Sequence, residues 1–361
     1  MQQNKDPKAP RSESGGRKAA LATYEKKRVK PIPEKSGAAH KESAAGGQGK
    51  RALASFSFSH TFTAPLLCAV VFILILAVGA IDPSALGTSS TEAYLSLAAI
   101  GLFVFMIPSV FYIRFRSLDM RDDLRLRLPA PNKIMFCVLC TLTLIISSVL
   151  YSAMGADAGG GIYTQGYGKL SSNGYDGTQA LYFAVCFAII PAVCEELLFR
   201  AVIMSELQKS SVLSAVILNS VFFAMLHFDF ESFPFYFFAG IVLSVCAYAS
   251  NSVIASFAVH LGYNLFAIFG GDTVNAVIKS VGELKAVIII LSGFLLLALS
   301  LTLGECQRIY ASYAKKNKDS SYLPSYKRGT GAVRFAEAAL NPASLAVIVI
   351  YVISTLLERI R

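Results

Sequence analysis

From Pro65 onward the chain is a succession of apolar segments, most about as long as the oily core of a bilayer is thick, and this repetition narrows the fold more than any other feature. A helix rises about 1.5 Å per residue, so roughly 20 apolar residues cross a hydrocarbon core of about 30 Å. Lipid offers no hydrogen bonds, so each segment must satisfy its own backbone, and a helix does so. Segments of this kind lie at 65–81, 93–113, 134–154, 179–204, 212–227, 234–249, 253–269, 286–303 and 342–357. The expected fold is all-α, a polytopic transmembrane helical bundle with eight to nine spanning helices. The fifth to seventh segments are the shortest, separated by little more than "DFESF" and "SNS".

The expected organisation has five parts. Residues 1–64, rich in Lys, Arg, Pro, Gly and Ser, bury too little apolar surface to offset their ordering entropy and are expected to form a disordered basic cytoplasmic tail. No apolar stretch follows the early charges, so the tail is not a signal peptide and the first helix is expected to serve as an uncleaved anchor. Next come N-terminal spanning helices over 65–154, an extracytoplasmic Gly- and Tyr-rich loop over 155–178, a core over 179–270, and C-terminal helices with a basic loop over 271–361. Lys and Arg concentrate in the tail, in "RFRSLDMRDDLRLRLP", in "SELQKSS" and in "QRIYASYAKKNKDSSYLPSYKRG", which alternate as cytoplasmic. The carboxyl end, "ERIR", then falls outside despite its two arginines.

The net charge of +10 thus has a membrane explanation, since each Lys or Arg near an anionic leaflet contributes about 1 kcal/mol of attraction. Membrane lipids are expected partners and nucleic acid is not. The seven cysteines form no disulfide framework. "CVLC", Cys137 to Cys140, has redox or zinc spacing but no second pair, and reads as small apolar filler.

Charged groups near a helix centre cost about 2.5–3.5 kcal/mol each on insertion scales, so intramembrane ionisable residues are functional-site candidates. They are Glu195, Glu196 and Arg200 in the fourth segment, His227 in the fifth and His260 in the seventh; Asn219 and Asn264 add polar amides. Glu196 and Arg200, four apart, share a face and are expected to form a structural ion pair. Glu195 points about 100° away, which leaves one unpaired carboxylate suited to act as a base. Pro191, four residues earlier, removes a backbone donor and is expected to disturb the helix. Taken singly, each histidine and amide also reads as interhelical glue, and Asn219 reads that way best.

Together, Glu195-Glu196-x-x-x-Arg200, Phe223-x-x-x-His227 and His260-x-x-x-Asn264, in that order on successive helices, resemble the motifs of the CAAX-protease and bacteriocin-processing (CPBP) family, which includes the type II CAAX prenyl endopeptidases. The resemblance covers about 179–269 and implies an intramembrane endopeptidase that cleaves a membrane-associated peptide or lipidated protein. It implies that Glu195 and His227 activate a water while His260 and Asn264 hold the oxyanion. A second mechanism uses Glu195, His227 and His260 as a zinc ligand set with water at the open position. No cofactor beyond that zinc is implied, and the oligomeric state has no signature.

Two other functions stay open: a noncatalytic bacteriocin self-immunity protein and a proton-coupled transporter. A bacterial plasma membrane is the expected location. Counted from opposite membrane faces, Glu195 lies about 27 Å deep on its helix and His227 about 24 Å along the next, so the two depths do not meet. The site is expected in a water-filled cavity open to the cytoplasmic side.

Overall fold

The computed structural model describes residues 60–80, 90–157, 177–281, 283–315 and 330–360, and every regular element among them is helical. The expected tail and outer loop lie largely outside these residues. In chain order the helices are α1 (His60–Gly79), α2 (Ser90–Arg116), α3 (Ile134–Asp157), α4 (177–207), α5 (Val212–Leu226), α6 (Phe233–Ser250), α7 (Val253–Phe269), α8 (Gly271–Val281), α9 (Leu284–Lys315), α10 (Thr330–Ala339) and α11 (Pro342–Ile360).

Among the described residues all nine expected segments fall on helices, with His227 just past the end of its own. Among the described residues six helices are long and apolar enough to cross a membrane, and a seventh if α10 and α11, bent by 58°, form one span. The chain is a multi-pass membrane protein. The two shortest, α5 and α7, have 15 and 17 residues and reach only about 23–26 Å, less than a full crossing. Two short amphipathic helices, α8 and α10, were not expected from the apolar pattern.

Local chemistry sets the helix ends. Within the stretch expected to be tail, α1 starts at His60 and carries Pro65 inside it. Proline has no N–H for the carbonyl four residues back, and Asn341 Nδ2 donates to that carbonyl, Thr61 O, at 2.7 Å. Ser211 caps α5 by accepting from the Ser214 amide at 3.2 Å. Asn251 closes α6 in the left-handed region at φ 55°, and Ser252 caps α7 by accepting from the Ala255 amide at 3.1 Å. Two tight hairpins, α4–α5 and α6–α7, follow from these four-residue signals.

The basic segments meet at one end of the bundle. Arg125 donates to Gln208, Arg127 Nε to Asn251 O at 2.9 Å, Lys133 Nζ to Ser250 O at 2.6 Å and to Tyr313, and Arg334 Nη1 to Ser210 O at 3.2 Å. These bonds place the α2–α3 loop, both hairpin turns, the end of α9 and the start of α10 together. In that loop the amides of Asp122 and Arg121 donate to Asp119, which holds its carboxyl below the usual range. Glu206, fully buried at the end of α4, ties the same end together: Arg116 lies 3.0 Å away, Lys209 pairs with it, and the Tyr112 hydroxyl donates at 3.4 Å.

Candidate active site

The site grows out of an irregular helix. In α4 the backbone widens to π turns over Ala184–Ile189 and Glu196–Ile203, with an ordinary α segment, Ile190–Glu195, between them. Pro191 stands in the first turn of that segment, so the disturbance expected from it is accompanied by wide turns on either side. Glu195 ends the regular segment and Glu196 begins the second π stretch.

The two glutamates have different surroundings. Glu196 is 1% exposed, with Arg200 Nη1 3.0 Å from its Oε1. The same carboxylate accepts from Ser256 Oγ and, at 3.0 Å, from His260 Nδ1. Arg200 is also 1% exposed; its pairing with Glu196 is out of line for a hydrogen bond, and among the described residues none of its N–H groups has a hydrogen-bond partner. The Phe223 ring, 4.2 Å from the guanidinium carbon, covers it instead. Glu195 Oε2 is buried without a hydrogen-bond partner among the described residues, and His260 Nε2 is 3.9 Å from it.

His227 lies one residue past α5, as its C-cap. Its Nδ1 is 3.0 Å from Phe223 O; a carbonyl only accepts, so Nδ1 carries the proton and Nε2 is left as the lone pair. The ring stacks on Tyr236 at 3.7 Å between centroids, with 13° between planes, and Phe223 meets it edge-on at 5.2 Å. Phe223 also meets His260 edge-on at 5.9 Å, so one phenyl ring spaces both imidazoles. Asn264, one turn beyond His260, donates weakly from Nδ2 to Ala188 O at 3.5 Å, a carbonyl in the first π stretch.

Glu195, His227, His260 and Asn264 line one cavity of about 300 Å³, walled by Phe187, Phe235, Tyr236 and Tyr263. The mismatch of depths is removed by the shared turn. Measured from the α4–α5 hairpin, Glu195 stands about 18 Å up α4 and His227 about 22 Å up α5, less than one helical turn apart. From Glu195 and His260 the lining continues through Pro191 and Phe187 on α4 and through Ala267 and Ile268 on α7, away from the basic end. Glu195 and His227 thus reach the same cavity at similar heights. Counting the two helices from opposite faces hid this, because both hang from the same turn.

Residues 177–266 match the family model described as type II CAAX prenyl endopeptidase Rce1-like. That stretch is similar to the CAAX-protease family. It contains every polar residue of the cavity, and the helices before and after it lie outside the match. No curated protein and no solved structure matches the chain.

Among the described residues no three His, Cys, Asp or Glu side chains converge so as to hold an ion. As placed, Glu195, His227 and His260 do not form a zinc cage. Two residues of the core escaped the sequence reading. Ser256 stands one turn before His260 on the same face of α7, a spacing that was there to be read. Tyr236 had no signal beyond being aromatic, because its partner His227 comes from a different helix.

Proposed function

We propose that the chain is an intramembrane endopeptidase of the CAAX-protease type, acting on a membrane-associated or lipidated protein near its end, with Glu195 as the base. The observation that carries this reading is the buried, unpartnered oxygen of Glu195 on the wall of a cavity shared with two imidazoles and a carboxamide. A water held between Glu195 and the bare Nε2 of His227 gives a proton to Glu195 as its oxygen attacks the peptide carbonyl. The tetrahedral oxyanion is met by the Asn264 amide and by His260. His260 Nδ1 donates to Glu196, which leaves its Nε2, 3.9 Å from Glu195, turned to the reacting groups. When the C–N bond breaks, Glu195 passes its proton to the leaving amine. Arg200 and Ser256 hold Glu196, and Glu196 orients His260.

The test is cleavage of quenched peptide and prenyl-peptide substrates by purified protein. Glu195→Gln is expected to lower turnover by about 10²–10⁴, the usual contribution of a general base, while its melting in detergent stays near that of the native protein. Equal cleavage by the two proteins would sink the assignment. A chelator distinguishes the two mechanisms: activity that persists after chelation and dialysis supports the glutamate route, and loss followed by rescue with zinc rejects it.

A further inference from the structure

The end of α5 begins to fix where His227 points, and the start of α6 completes it. At the C-terminus of a helix the last carbonyls lose their intrahelical donors. The His227 amide donates to Ala224 O at 3.3 Å, and the Phe223 carbonyl, one residue further back, is met by the imidazole Nδ1 at 3.0 Å. Phe228 then turns the chain out of the helix in the left-handed region, at φ 50°. Asp229 builds the connection that follows: its Oδ1 accepts from the Glu231 amide at 2.9 Å and from the Ser232 amide at 3.0 Å. The Ser232 carbonyl accepts in turn from the Tyr236 amide at 3.0 Å, in the first turn of α6. Tyr236 is thereby brought back against His227.

The hydrogen bond to Phe223 O fixes the tautomer of His227, but a ring held by one bond can still rock about it. Tyr236 removes that freedom. Its ring lies face to face with the imidazole, 3.7 Å between centroids and 13° between planes, which is van der Waals contact across the face. Phe223, edge-on at 5.2 Å, limits the ring further. The plane of the imidazole, and with it the direction of Nε2, is set from α6 as much as from α5. Because Tyr236, His227 and Glu195 line the same cavity, a tilt of that plane moves Nε2 relative to the Glu195 carboxylate. An aliphatic side chain would fill the space without offering a flat face to match.

We infer that Tyr236 is a positioning residue: its ring holds the His227 imidazole in one plane, with Nε2 directed at the water that Glu195 activates. In this role it acts through His227 and not on the peptide, so it governs turnover and not substrate affinity. The alignment of the imidazole stands on the stack and the hydrogen bond; its effect on turnover rests on the endopeptidase reading.

The experiment compares native protein with Tyr236→Phe, which keeps the flat ring, and Tyr236→Leu, which keeps apolar bulk without it, all as full chains in detergent. Tyr236→Leu is expected to lower kcat by about 10–100-fold with KM within about threefold of native, since misplacing a catalytic group by about 1 Å costs about 10²-fold. Tyr236→Phe should restore kcat to within about threefold of native. A leucine variant with native kcat, or a phenylalanine variant as slow as the leucine one, overturns the assignment. His227 is also read directly, by proton and nitrogen NMR of histidine-labelled protein, its signals assigned by their loss in His227→Gln. The stacked ring should shift the His227 ring protons upfield in native protein and in Tyr236→Phe, and their absence from the native spectrum overturns the proposal even where the leucine variant does not fold. In Tyr236→Leu the rocking ring breaks its bond to Phe223 O more often, so the Nδ1 proton should exchange with water severalfold faster. Unchanged exchange there rejects the positioning role. Native protein that cleaves no substrate counts against the endopeptidase reading, and the His227 signals then still decide the alignment.

Discussion

Helices α4 and α9 are both long and apolar, yet they occupy opposite environments. The most apolar window of α9 is 11% buried, and its Ile289, Ile290, Phe294, Leu296 and Leu297 face outward; that of α4 is 39% buried and keeps Glu196 and Arg200 at 1% exposure. In water the apolar helix would be inside. In lipid there is no hydrophobic drive between helices, so the greasiest surface can stay outside while polar side chains and close packing define the interior. Polarity within a span therefore reports the buried face.

The sharpest way to break this comparison is to remove a charge from the interior. Arg200→Met leaves Glu196 buried against Ser256 and His260 without its cation, and such one-sided losses cost about 3–5 kcal/mol. A steep fall in melting temperature in detergent is expected. A variant as stable as the native chain would mean that Glu196 needs no partner.

Glycine offers the same substitution in both environments. A Cβ on Gly240 of α6 would stand 2.8 Å from Ser220 Cα on α5, backbone that cannot turn aside. Gly240→Ala should force the helices apart at a cost of about 1–3 kcal/mol, read as lowered melting temperature. Gly293 of α9 has nothing within 4 Å of its Cβ position. Gly293→Ala should change stability by no more than about 0.5 kcal/mol, and a loss matching that of Gly240→Ala would show that α9 packs against another body.

Much of this was legible because lipid makes patterns simple. Apolar length marked the nine segments, and charges in oil marked Glu195, Glu196, Arg200 and the two histidines, which the structure places around one cavity and its supporting ion pair. What escaped depends on contacts between distant residues or on backbone geometry with no local signature. The π turns of α4 are not written in composition. Tyr236 stacks on His227 from a different helix, and Ser256, though one turn from His260, shows its use only once Glu196 is beside it. The start of α1 at His60 was missed because Pro65 reads as a boundary until Asn341, far along the chain, is seen to take over the orphaned carbonyl.

The α4–α5 hairpin also implies an order of assembly. Glu195 and His227 stand on two arms joined by one short turn, a local contact that closes as soon as both arms are made. His260 and Asn264 arrive only with α7, after α6 has passed back through the bundle. A chain emerging during synthesis would thus hold its base and first imidazole together well before the groups that steady a reaction intermediate. The reactive pair is expected to remain inert until the last member of the core is inserted, so that chemistry begins only in a finished molecule.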